Sequence, residues 1–119
     1  MNKNFFLNDD KNSKNVQIKK NIINHFISEG NNTITELSKE LDLSIPTITK
    51  FINELAEQEL IMEYGKVQTS GGRYPILYGL KPDSIYFIGA DMSRHHLHIA
   101  LMNFKGEIVD YQMGIKYEF

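Results

Sequence analysis

The sequence predicts an α+β fold: three helices closed by a glycine-tipped β-hairpin, then a three-stranded β-meander. Apolar residues recur at three- and four-residue spacing between Val16 and Leu55, the pattern of amphipathic helices. Two β-prone runs then flank Ser70-Gly71-Gly72-Arg73, a turn that joins paired strands. After Lys81-Pro82-Asp83 the chain alternates strand and turn, and no helix-period segment returns.

Composition narrows the field. At 119 residues the chain fits one domain, or a small domain plus part of another. No run of about 18 apolar residues is present, so no membrane span is expected. The opening MNKNFFLNDDKNSKN lacks the apolar core and small-residue cleavage site of a secretory signal. Cysteine is absent, which removes disulfides and thiolate metal sites and fits a cytoplasmic protein. The net charge of −2 argues against a nonspecific coat on nucleic acid. A sequence-specific reader needs only a local patch, so this charge leaves that class open.

Residues 1–15 read as a mobile arm, rich in Asn, Lys and Asp. Its one apolar cluster, Phe5-Phe6-Leu7, has docking on the domain or on a second copy as the alternative. Residues 16–81 read as the first domain. Ile18, Ile22, Ile23, Phe26 and Ile27 make one apolar face of the first helix, and Gly30 with Asn31-Asn32 ends it. His25 lies beside that face and reads as a structural histidine.

Thr33 offers an N-cap to the second helix, with Glu36 placed to complete a capping box. Ile34, Leu37 and Leu41 mark its buried stripe, and Asp42-Leu43 makes the turn. Ser44 caps the third helix, with Pro46 in its first turn, where the missing N–H costs nothing. Ile45, Ile48, Ile52 and Leu55 share its apolar side. Pro46, Thr49, Lys50 and Asn53 project opposite, with Thr47 at the flank. Leu60 to Tyr64 and Tyr74 to Leu80 read as the hairpin strands. Gly71 and Gly72 let the tip adopt positive φ, and Arg73 has no acidic neighbour in the sequence.

Helix, tight turn, helix and hairpin make a winged helix-turn-helix. There the helix after the turn enters the DNA major groove, and the wing reaches for the backbone or minor groove. Asn pairs bidentately with adenine, Lys reaches guanine or phosphate, and Arg suits a narrow minor groove. The DNA-facing set is therefore Ser44, Pro46, Thr47, Thr49, Lys50 and Asn53 on the helix, with Ser70, Gly71, Gly72 and Arg73 on the wing. A solvated helix face and an ordinary hairpin would carry the same residue types. The acidic half of the helix, Glu54, Glu57 and then Glu59, must point away from phosphate, so the N-terminal half is the one that docks.

Residues 82–119 read as three strands: Ile85–Asp91, His96–Met102 and Glu107–Ile115, with Asn103-Phe104-Lys105-Gly106 as a turn. Such a sheet, apolar on both faces, is not a finished domain, so the chain reads as a piece of a longer protein.

Together Ser44-Ile45-Pro46-Thr47-Ile48-Thr49-Lys50, Asn53-Glu54-Leu55, Ser70-Gly71-Gly72-Arg73-Tyr74-Pro75, Leu80-Lys81-Pro82, Ile88-Gly89-Ala90-Asp91 and Met102-Asn103-Phe104-Lys105-Gly106-Glu107-Ile108 carry a resemblance. They resemble the ROK family (repressor, open reading frame, kinase), in the regulator branch similar to xylose and N-acetylglucosamine repressors. The resemblance covers roughly residues 16 to 116, and the order of the motifs is more specific than any one of them. It implies that Thr47, Thr49 and Lys50 face an operator, with Gly72 and Arg73 in the wing. It also implies that residues 82–119 begin an actin-like ROK domain, whose missing remainder holds a sugar effector.

The family's kinase branch has two glycines and a threonine after the strand ending in Asp, to cradle nucleotide phosphate. Here Ser93-Arg94-His95 stand in those places, which argues against ATP binding. His96 and His98 share a strand face but lack a third spaced ligand, so no metal is expected, and no cofactor. The expected partners are an inverted-repeat operator in double-stranded DNA and a second copy of the chain. The rival readings are the start of a sugar kinase and a winged helix used for protein contacts.

Overall fold

Residues 13–68 and 71–118 are described by a computed structural model. Its elements in order are α1 (Ser13–Glu29), β1 (Asn32–Thr33), α2 (Ile34–Leu41), α3 (Ile45–Glu57), β2 (Ile61–Lys66), β3 (Ile76–Leu80), β4 (Phe87–Met92), β5 (His96–Met102) and β6 (Ile108–Lys116). The chain divides into two compact units, one up to Leu80 and one from Lys81. Among the described residues no helix is long and apolar enough to cross a membrane.

Helix α1 starts at Ser13, ahead of Val16 where the apolar periodicity begins. The arm expected over residues 1–15 is therefore wrong for 13–15, which belong to α1, and its remainder, 1–12, lies outside the described residues. Ile22, Ile23 and Phe26 are buried, but Ile27 is 54% exposed, contrary to expectation. At 3.6 residues per turn Ile27 sits at the far edge of the stripe that Ile22 and Phe26 centre. Gly30 adopts φ 84° and donates its N–H to the Phe26 carbonyl at 3.0 Å, which ends the helix.

Asn32 does not merely follow that end. With Thr33 it forms β1, which pairs antiparallel with β3 through Asn32–Tyr78 and Thr33–Leu77. The three-stranded sheet therefore runs β1-β3-β2 and fastens the start of α2 to the wing. The Thr33 hydroxyl accepts the Glu36 N–H at 3.2 Å, as an N-cap should. Glu36 does not close the reciprocal half of the box, because the Thr33 N–H already donates to Asn32 Oδ1 at 2.9 Å. In α2, Leu37 is fully buried while Ile34 and Leu41 are half-buried. Asp42 in the left-handed region, φ 53°, terminates the helix and turns the chain.

Helix α3 buries Ile48, Phe51, Ile52 and Leu55. Ile45, expected in that stripe, is 50% exposed, since it precedes the turn that meets the core. Phe51 fills the stripe instead. Ile22, Leu37, Ile48, Ile52, Leu55 and Leu80 are the largest fully buried side chains. Each contributes about 1.5–3 kcal/mol by leaving water, so one core holds the three helices and the base of the hairpin together.

Strands β2 and β3 pair from Ile61–Leu80 to Lys66–Ile76, with an irregularity between Glu63 and Lys66 where Gly65 takes φ 96°. The Tyr64 hydroxyl donates to the Leu80 carbonyl. A Cβ at Gly79 would fall inside contact distance of the Asn31 side chain and the Tyr64 ring, so glycine is required there. Burial, and then the Glu63 carboxylate opposite it in the ladder, push the Tyr78 pKa upward.

In the second unit β4, β5 and β6 form an antiparallel meander in that order. The turn before β6 is closed by Asn103, whose Oδ1 accepts from the N–H groups of Lys105 and Glu107 at 3.0 Å each. Every residue of β4 is exposed, and Ile88, Tyr111 and Met113 are 74%, 65% and 70% exposed. This sheet has no covered face comparable to the helical core.

Candidate DNA-binding surface

The first turn of α3 is built by two hydroxyls. Ser44 Oγ accepts the Thr47 N–H at 3.3 Å and lies 2.8 Å from Thr47 Oγ1. One hydroxyl proton of the pair therefore stays inside it, and the other remains for an outside acceptor. Pro46 is exposed in the same turn and needs no hydrogen-bond partner for its nitrogen.

One turn on, Thr49 donates its hydroxyl to the Ile45 carbonyl at 2.8 Å. Lys50 is exposed, with its ammonium 5.2 Å from the centre of the buried Phe51 ring. Asn53 is exposed, and its side chain makes no hydrogen bond among the described residues. Pro46, Lys50 and Asn53 thus stand on the side of α3 opposite the Ile48–Leu55 stripe, with Thr47 and Thr49 half-buried at its two flanks.

Acidic residues follow on the same helix. The Glu54 carboxylate is held 2.9 Å from Lys19 Nζ on α1, which draws one negative charge toward the core-side flank. Sequence reasoning missed this pair, because nothing in the spacing of Lys19 and Glu54 reports that α1 crosses α3.

The wing tip is a separate structure from the helix face. Val67 donates its N–H to the Pro75 carbonyl at 2.8 Å, the last rung toward the tip among the described residues. Gly71, Gly72, Arg73 and Tyr74 are exposed there, and Gly72 takes φ 77°. Ser70 lies outside the described residues. Lys66, exposed at the end of β2, adds a cation near the tip. The structure thus gathers Ser44, Thr47, Pro46, Thr49, Lys50 and Asn53 on one helix, and hangs Gly71, Gly72 and Arg73 on the hairpin that packs against it.

Behind the helices, His25 Nε2 lies 2.7 Å from Glu40 Oε2 and 3.2 Å from Asn32 Nδ2. This half-buried group ties α1, α2 and β1 together; the sequence showed the histidine but not its partners. In the second unit Ser93-Arg94-His95 form a tight β4–β5 hairpin turn, with the Ser93 N–H donated to the His96 carbonyl at 2.8 Å. His98 Nδ1 accepts the Gly114 N–H at 3.0 Å. Among the described residues no three His, Cys, Asp or Glu side chains gather as a metal ion requires.

Residues 17–62 match the family model described as winged helix-turn-helix DNA-binding. The xylose repressor of Caldicellulosiruptor bescii is 35% identical over 75 residues, covering 63% of this chain and 19% of that protein. The xylose repressor of Staphylococcus xylosus is 27% identical over 111 residues, covering 92% of this chain and 27% of that one. A crystal structure of a ROK family transcriptional regulator, a homologue of the E. coli MLC protein, is similar with a TM-score of 0.61 and 27% identity. That likeness covers 85% of this chain and 26% of the regulator. The chain spans about a fifth to a quarter of the length of these relatives.

Proposed function

We propose that this chain, which matches the N-terminal portion of ROK-family repressors, is the part that reads operator DNA. The observation that carries the reading is the winged helix-turn-helix over residues 17–62, with the polar side of α3 turned outward and a glycine-tipped wing beside it. Ser44, Pro46, Thr47, Thr49, Lys50 and Asn53 face the major groove. Ser70, Gly71, Gly72 and Arg73 approach the backbone or minor groove.

The operator is an inverted repeat bound by a homodimer, since two-fold protein symmetry mirrors a two-fold site. A sugar releases it, held by the further length that the relatives carry; their names make xylose the first to try. Such a regulator works in the cytoplasm and has no catalytic task. A sugar kinase is not favoured, because side chains fill the Ser93-Arg94-His95 turn where that reading needs bare backbone. Selection from a random duplex pool tests the proposal. Enrichment of an inverted repeat supports it, and a pool left unchanged after repeated rounds returns the winged helix to protein contacts.

A further inference from the structure

The hydrogen bonds of α3 divide its polar residues into those already engaged and those still able to read a base. Ser44 and Thr47 bond to each other and to the helix end. One hydroxyl proton of the pair stays free at a helix N-terminus, where a phosphate oxygen is the fitting acceptor. Lys50 keeps its ammonium over the Phe51 ring, 5.2 Å from its centre and close to the helix's own surface. From there a charge meets backbone phosphate more readily than the floor of a groove.

Two residues remain. Thr49 has given its only proton to the Ile45 carbonyl, so it offers a ligand a methyl group and oxygen lone pairs and no donor. Asn53 is exposed with both its amide protons and its carbonyl uncommitted among the described residues. An uncommitted amide on a recognition helix matches the N7 acceptor and N6 donor of adenine and of no other base. A threonine reduced to methyl and acceptor matches the C5-methyl of thymine. Residues four apart rise by about one turn, roughly 6 Å, and base pairs by about 3.4 Å, so the two bases lie one or two steps apart.

We propose that α3 specifies its half-site through Asn53 on an adenine and Thr49 on a thymine methyl one or two steps away, while Ser44, Thr47 and Lys50 hold phosphate. The proposal rests on the DNA-reading function above and adds which bases are read and by whom. It makes the rest of the polar surface a source of affinity and not of sequence.

Base analogues in the selected duplex test it. Replacing the read adenine by 7-deaza-adenine removes N7 and leaves the base pair intact. Wild type should lose about tenfold in affinity, and Asn53→Ala, already lacking the pair, should lose nothing further. Replacing the thymine by deoxyuridine removes only the methyl. Wild type should weaken by about threefold, and Thr49→Ser, which keeps the hydroxyl but not the methyl, should be indifferent. Equal losses for wild type and variant at every adenine and thymine tested overturn the proposal, while DNA reading stands. A pool that enriches no duplex overturns both.

Discussion

Lys19 of α1 holds Glu54 of α3 at 2.9 Å, so the first helix neutralises an acid on the helix proposed to face DNA. Glu54 lies one turn after Lys50 and next to Asn53, where a bare carboxylate would repel phosphate. The pair is partly exposed, with side chains 15% and 37% accessible, so its contribution to folding stability is small.

Lys19→Ala should therefore weaken DNA binding by about 0.5–1 kcal/mol and change stability by less than that. Lys19→Ala with Glu54→Gln should recover the affinity, because the liberated charge is gone. A double-mutant cycle by fluorescence anisotropy reads the coupling. Additive effects of the two changes would reduce the pair to an ordinary surface contact.

The wing makes a second prediction. Arg73→Ala should cost about 1–3 kcal/mol of affinity on a site flanked by A·T pairs, whose narrow minor groove concentrates negative potential. The cost should shrink when the flanks become G·C. An Arg73→Ala protein that binds both sites as wild type does would leave the wing a structural hairpin.

Gly79 sits where β3 passes under Asn31 and the Tyr64 ring with no room for a Cβ. Gly79→Ala should destabilise the winged domain by about 1–3 kcal/mol through forced displacement of that packing. Adding Asn31→Ala should return part of it, since the Asn31 amide is the nearest obstacle. Urea unfolding measures both, and an unchanged midpoint for Gly79→Ala would contradict the crowding.

The meander leads to a prediction about assembly. Phe87, Ile88, Met92, Ile108, Tyr111 and Met113 are each at least half exposed on a sheet whose outer strands have unpaired edges. The 119-residue chain should self-associate through residues 85–119 and bind DNA more tightly as its concentration rises. A protein ending at Lys81 should sediment as a monomer and keep its helical content. A full chain that sediments as a monomer at tens of micromolar would contradict the prediction.

Long periodic stretches were legible in the sequence and short or crossing features were not. Ile48, Ile52 and Leu55 recur over several turns, and Gly72 marks its own turn, so α3 and the wing could be read directly. Strand β1 is two residues long, too short for any period, and its existence depends on Leu77 and Tyr78 lying alongside. The stripe edges misled for a related reason. Periodicity gives the direction of a face but not how far the core extends along it, so Ile27 and Ile45 share the apolar period yet lie outside the core, while Phe51 lies within it. The polar set on α3 was legible as residue types. Which of its members are already engaged, as Ser44, Thr47 and Thr49 are, depends on hydrogen bonds that no spacing reports.

Whether α3 and the wing read duplex DNA by sequence is tested most directly by the ratio of two affinities. The 119-residue chain is titrated against its selected inverted repeat and against a scrambled duplex of the same composition, both at about 0.15 M salt. The chain should prefer the selected repeat about a thousandfold, and the preference should fall when Asn53 is replaced by alanine. Equal affinities for the two duplexes, both vanishing together as salt is raised, would contradict it.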